Sequence, residues 1–166
     1  MIALHLPDIR TTTNKLFAAE DFDAFLVSEV SLSTFCSFQI DGRIPADYYS
    51  DEEQEALIDK QTIAWKQLRP LMFQLIKGNR LPGQFKIVFR LNGHNVEKFV
   101  KQTGLPYSAA DIGGLFLNIR YHNGNLSAYT GTSLNIFDLS KQLDHEWDRM
   151  VKGFFKQRQI PFEEEK

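Results

Sequence analysis

The sequence predicts an α+β fold: a single domain with a mainly antiparallel sheet of about six strands, accompanied by four helices besides a short one in an acidic loop. Three observations lead to this prediction. Several short segments alternate apolar and polar residues, which is typical of strands with one buried face. Other segments repeat apolar residues every three or four positions, which is typical of amphipathic helices. The dipeptides Asp41-Gly42 and Asn123-Gly124 favour tight type I′ turns between antiparallel strands.

The first elements follow from alternation and from capping residues. Alternation predicts a strand over residues 2–6. It resumes over residues 25–40, which form either one bent strand or two joined strands. Between these segments, Asp8 or Thr11 can cap a helix over roughly 10–19, because their side-chain oxygens accept from free amides of the first turn.

Two helical segments are predicted next. Residues 45–60 form an acidic loop with a short helix at 51–58. A stronger amphipathic helix is led by Trp65. Pro70 lacks an amide donor and clashes with the preceding turn, so this helix either begins near Arg69 or kinks there.

The second half begins with the same order of elements. Alternation predicts strands over residues 85–91 and 115–121. A helix lies between them, with Asn92 or Asn95 as its cap and Gly104 as its end.

A hairpin and a helix complete the second half. Asn123-Gly124 marks the clearest hairpin, which returns through residues 126–130. A further strand is predicted over 134–139. Ser140 then caps a final helix that carries Trp147 on its apolar face.

A spacing of 82 residues suggests an internal repeat. It separates the two turn dipeptides, and it separates Trp65 from Trp147. We therefore expect pseudo-repeats over about 1–80 and 84–160, each a strand-helix-strand-strand-helix unit. A conflict in strand parity beside Asp41 leaves a chance alignment as the alternative.

Composition places the chain among ordinary globular proteins. With 43% hydrophobic residues, its 166 residues suit one domain over 1–162, followed by a disordered tail at 163–166. The single Cys36 excludes an internal disulfide and favours a reducing compartment. No signal peptide or long apolar segment is evident, so we expect a cytoplasmic protein without membrane contact.

Charge is unevenly distributed along the chain. Residues 41–59 carry seven acidic side chains against one arginine, and residues 66–101 carry eight basic ones against one glutamate. Such runs are ordinarily solvated surfaces. The alternative is a surface that binds anions or nucleic acid through a set of six cations: Lys77, Arg80, Lys86, Arg90, Lys98 and Lys101. The sequence pI of about 6.1 disfavours nucleic acid.

No catalytic motif is recognisable. The four histidines lack metal-ligand spacing and Cys36 has no partner cysteine, so we predict no metal, no cofactor and no catalytic residue. A hydroxyl cluster around Gly131 is the most site-like segment. Together with two histidines it defines a candidate pocket of His94, His122, Thr130 and Thr132.

Three functions follow from these observations. The leading interpretation is a non-catalytic binding or protein-interaction module that pairs with another protein or with a second copy of itself. The alternatives are a nucleic-acid-binding protein that uses the basic segment and an enzyme of unrecognised type at the candidate pocket. The sequence identifies neither a ligand nor a partner.

Four strings of residues are distinctive. They are Trp65-x-x-Leu68-Arg69-Pro70, Phe85-Lys86-Ile87-Val88-Phe89, Gly113-Gly114-Leu115-Phe116-Leu117-Asn118-Ile119-Arg120 and Thr130-Gly131-Thr132-Ser133-Leu134. Together they resemble a small, uncharacterised bacterial family that is known only as a domain of unknown function. The resemblance covers almost the whole chain and implies a compact, stand-alone bacterial protein. It brings no catalytic residues to this sequence.

Overall fold

The computed structural model describes residues 1–77 and 82–166. Within them, every pairing between strands is antiparallel, in one sheet of order β3-β2-β4-β5-β6-β1-β7. The strands are β1 (Ala3–His5), β2 (Leu26–Ser33), β3 (Ser37–Asp41), β4 (Gln84–Arg90), β5 (Ile112–His122), β6 (Asn125–Leu134) and β7 (Glu163–Glu164). The predicted α+β class is confirmed, with seven described strands where about six are predicted.

Five α-helices accompany the sheet in the described residues. They are α1 (Ile9–Phe17), α2 (Asp51–Glu55), α3 (Trp65–Ile76), α4 (Gly93–Thr103) and α5 (Gln142–Gln157). The α3 helix begins at Trp65, where the side chain of Gln67 accepts from the amide of Ala64 at 3.1 Å. Pro70 lies inside this helix, so the alternative start near Arg69 is wrong.

All the core-forming helices cover one face of the sheet. In β4, the side chains of Phe85, Ile87 and Phe89 are buried, whereas the residues between them are half-buried. The same alternation runs through β5 and β6. Because alternate side chains point to opposite faces, the helices lie on one side. The other side, called here the open face, is left to solvent.

Two buried tryptophans join elements of the core: Trp65 links α3 to α1, and Trp147 links α5 to β5. Trp65 and Trp147 are 0% and 1% exposed. The indole of Trp65 donates to the carbonyl oxygen of Leu16 at 2.7 Å, and that of Trp147 donates to the carbonyl oxygen of Phe116 at 2.8 Å. Both are therefore core anchors with a satisfied polar atom.

The two turn dipeptides have different structures. Asn123 and Gly124 have φ of 50° and 77°, which agrees with the predicted type I′ hairpin between β5 and β6. The predicted turn at Asp41-Gly42 is wrong, because the chain reverses earlier, between β2 and β3. Gly42 is required for another reason: a Cβ there would lie 1.5 Å from the carbonyl oxygen of Val27.

The two halves share an order of elements and differ in pairing. Each half contains the predicted strand-helix-strand-strand-helix order. However, β4 lies between β2 and β5, whereas β1 lies beyond β6. A duplicated unit is therefore not confirmed. Residues 163–166, expected to be a disordered tail, include β7, which pairs with β1.

Candidate functional site

A polar row of side chains crosses the open face from edge to edge. Opposed residues of antiparallel strands point to the same face, so the ladder register identifies the row. In sheet order it contains Gln39, Ser31, Lys86, Arg120, Ser127, His5 and Glu163. No member is apolar, in contrast to the buried face of the same strands.

Two cations stand opposite one another in this row. Lys86 of β4 pairs directly with Arg120 of β5, an arrangement that is destabilising unless something neutralises it. The ammonium of Lys86 lies 2.6 Å from a carboxylate oxygen of Glu29. Arg120 is exposed and forms no salt bridge with any described residue. Its guanidinium carbon lies 5.4 Å from the centre of the Tyr129 ring.

A depression of about 620 Å³ lies between Arg120 and the β3 edge. Hydrogen-bonding side chains dominate its lining. The ring Nδ1 of His122 is 3.1 Å from the amide oxygen of Gln84. The hydroxyl of Ser31 donates to the amide oxygen of Gln39 at 3.2 Å. This depression therefore offers both cations and neutral hydrogen-bonding groups.

A second depression, of about 500 Å³, lies on the other side of Arg120. Arg120 and His122 line both depressions, so the two form one surface centred on these side chains. The second depression is completed by His5, Asn123, Asn125, Ser127, Tyr129 and Glu165. An extended polar ligand could span the two depressions across several strands.

The candidate pocket of His94, His122, Thr130 and Thr132 is not assembled. Thr130 is buried on the helix side, where its hydroxyl donates to Asp148 at 2.5 Å. Thr132 lies on the same side and donates to Asp144. His122 lies on the open face, and His94 is exposed in the first turn of α4. The structure therefore brings the two threonines together and leaves the histidines elsewhere.

Hydroxyl–carboxylate contacts also hold the loop before α5. The hydroxyl of Tyr107 donates to Asp138, and the amide of Ser140 donates to the same carboxylate at 2.8 Å. The hydrogen bond from Tyr107 is the main cause that lowers the pKa of Asp138, and the same contact raises the pKa of Tyr107. Because both groups are engaged with each other, we interpret this cluster as an anchor for the loop.

The six predicted cations do not share one surface. Lys86 and Arg90 lie on the open face of β4. Lys98 and Lys101 are exposed on α4, in the helix layer, and Lys77 is exposed just after α3. Arg80 lies outside the described residues.

Arg120 is absent from the predicted site. The sequence does predict which strand face Arg120 lies on, because it alternates with the buried Leu117, Ile119 and Tyr121. The missing information was the register that places it opposite Lys86, and this depends on contacts between strands about 30 residues apart.

Comparison with known proteins places the chain beside a protein family. The model of a family of unknown function, DUF5721, matches residues 15–163. No curated protein and no solved structure matches the chain significantly. No helix in the described part of the chain has the length and apolar character needed to cross a membrane. Among the same residues, no three His, Cys, Asp or Glu side chains are grouped as metal ligands.

Proposed function

We propose that this chain, which belongs to the family of unknown function DUF5721, is a non-catalytic binding module. Its binding surface is the open face around Arg120, and its ligand is a phosphate-bearing anion. The observation that supports this most is the position of Arg120: an exposed cation, directly opposite Lys86, without an acidic partner among the described residues.

The charge arrangement favours an anion over other ligands. Glu29 neutralises Lys86, so the group of three side chains keeps one excess positive charge on Arg120. An anion bound beside Arg120 would neutralise this remaining charge. Glu165 lines the second depression only, so we place the anion in the first, whose described lining contains no acidic side chain. A guanidinium also presents several N–H donors in one plane, which suits the oxygens of a phosphate.

Polar contacts on this face favour binding over catalysis. Nucleophilic catalysis needs a hydroxyl or thiol within reach of a base. The hydroxyl of Ser31 instead donates to the amide of Gln39, and His122 contacts the amide of Gln84. These groups can orient a ligand by hydrogen bonds.

Single-stranded nucleic acid is the second candidate ligand. Phe116 and Tyr129 are half-buried on the open face, and Arg90 is the cross-strand neighbour of Phe116. Aromatic rings interleaved with cations can stack bases while contacting phosphates. The sequence pI of about 6.1 is lower than is usual for such proteins, so we place this ligand second.

The test compares Arg120→Ala with Lys98→Ala, which removes an exposed cation from the helix layer. Isothermal titration calorimetry with pyrophosphate probes small anions, and fluorescence polarisation with a labelled ten-nucleotide oligothymidine probes nucleic acid. We expect Arg120→Ala to weaken binding roughly ten- to hundredfold, from the loss of a charge-assisted contact worth about 1.5–3 kcal/mol. Lys98→Ala should bind like the wild type.

The two probes separate the candidate ligands. If the protein binds pyrophosphate and binds the oligonucleotide no more tightly, the result supports a small phosphate-bearing anion as the ligand. If it strongly prefers the oligonucleotide, the result supports single-stranded nucleic acid. Equal losses in both variants would indicate non-specific attraction to positive charge. That result, or no binding of either probe by the wild type at low salt, would contradict the proposal.

A further inference from the structure

The β3 edge of the sheet has a row of backbone groups without partners in the described residues. Two backbone hydrogen bonds show which residues face β2. The amide of Gly42 donates to the carbonyl oxygen of Ser28, and the amide of Thr34 donates to the carbonyl oxygen of Cys36, both at 3.0 Å. Even-numbered residues of β3 therefore direct their backbone groups towards β2. The N–H and C=O groups of Ser37, Gln39 and Asp41 consequently point outward.

This edge lacks the usual protection against pairing. Natural edge strands are commonly blunted by lysine, proline, charge or short length. The opposite edge, β7, has only two residues, both glutamates. In contrast, β3 has five residues and contains neither lysine nor proline, with Asp41 as its only charged residue. Ser37, Gln39 and Asp41 are all exposed.

We propose that β3 pairs with β3 of a second copy of this chain, antiparallel, about a two-fold axis at Gln39. In this register all five residues of β3 find an opposite residue. Gln39 meets Gln39 of the other copy, and Ser37 of each copy meets Asp41 of the other. The outward N–H and C=O groups then form a ladder of about six hydrogen bonds.

Side chains agree with the same register. Asp41 of each copy faces the neutral Ser37, so the two acidic side chains stay apart. Phe38 of each copy faces Ile40 of the other, an apolar cross-strand pair of the kind that stabilises sheets. The acidic residues 45–60 follow one end of β3, whereas the turn with exposed Phe35 at its other end is uncharged. Antiparallel pairing therefore separates the two acidic segments.

The pairing also joins the two open faces. Opposed residues of an antiparallel ladder point to the same side, so both open faces would lie on one surface. Ser37 and Gln39 line the depression of about 620 Å³ beside Arg120. The corresponding depressions of the two copies would meet at the two-fold axis. The dimer itself depends on the edge and is independent of the proposed ligand.

The first test measures mass in solution. Sedimentation velocity of the wild type at 100 μM should give twice the chain mass of 19.2 kDa. Gln39→Pro should give the monomer mass, because proline removes an N–H that only the dimer uses. Its far-UV circular dichroism should stay that of the folded wild type, and its melting temperature should fall only by the stabilisation that dimerisation gives the wild type. A monomeric wild type, or a folded Gln39→Pro protein that remains dimeric, would overturn the proposal.

The second test measures the register by disulfide formation in a Cys36→Ser background. Added Gln39→Cys places the thiols opposite each other, with Cα atoms about 5.5 Å apart, within disulfide range. The matched Asp41→Cys variant places them about 14 Å apart, four residues out of register. We expect rapid oxidation to a covalent dimer for the first and none for the second. Cross-linking of both variants, of neither, or of Asp41→Cys alone would refute the register.

Discussion

Replacing Trp147 tests how α5 is attached to the sheet. The side chain is 1% exposed and packs edge-to-face on Phe99, with ring centres 6.1 Å apart. Burial of about 200 Å² at roughly 25 cal/mol per Å² gives an upper value near 5 kcal/mol. We therefore expect Trp147→Ala to lower the free energy of unfolding by about 3–5 kcal/mol, the range for large aromatic residues in cores.

A second substitution separates packing from hydrogen bonding. Trp147→Phe keeps most of the ring volume and removes the donor to the Phe116 carbonyl. The lost hydrogen bond is worth about 0.5–1.5 kcal/mol, so this variant should lie between the wild type and Trp147→Ala.

Urea unfolding followed by far-UV circular dichroism measures the free energy of each variant. Met150→Ala, on the same helix and 37% exposed, is the control and should lose less than Trp147→Ala. A loss below about 1 kcal/mol for Trp147→Ala would refute the assigned packing of α5.

Two further substitutions test local features. Gly42→Ala should cost more than 2 kcal/mol of unfolding free energy, on the order expected for a forced backbone clash, whereas Gly153→Ala in α5 should stabilise by up to about 1 kcal/mol. Calorimetric melting checks both, and equal effects would contradict the close approach at Gly42. Tyr107→Phe should raise the pKa of Asp138 towards its ordinary value, because it removes the main cause of the lowering. A carboxyl whose pKa is lower in the folded state than in the unfolded state stabilises the protein above the unfolded-state pKa. That stability is lost as the pH falls through the folded-state pKa. Tyr107→Phe should therefore lose less stability than the wild type as the pH falls through this acidic range. The carboxyl carbon of Asp138, followed by NMR, should titrate at a higher pH than in the wild type. An unchanged Asp138 midpoint would contradict the contact.

Local pattern was sufficient for most of the fold. Alternation predicted the main strands, and helical spacing predicted both the helix that begins at Trp65 and the helix that carries Trp147. Both patterns depend on which side of an element is buried. The glycine signals were less specific. Gly124 occupies a left-handed turn, whereas Gly42 makes room for a neighbouring backbone. Asp41-Gly42 and Asn123-Gly124 both favour the same tight turn, so the dipeptides alone do not distinguish the two cases.

The candidate site required information that local pattern does not contain. The sequence placed Lys86 on a polar strand face, and the structure has it there. Arg120 becomes notable only through its register with Lys86, and Thr130 is excluded from an open pocket only by its contact with Asp148. Both are long-range contacts, which a periodic pattern cannot specify.

Binding of an anion by the open face is tested most directly by a nitrogen–proton NMR titration of the wild type with pyrophosphate. We expect amide shifts in residues 84–90, 118–122 and 127–129, around Lys86 and Arg120. The same titration of Arg120→Ala should leave these amides nearly unchanged. Shifts confined to α4 with its exposed Lys98 and Lys101, or no shifts at 10 mM pyrophosphate, would contradict an anion site on the open face.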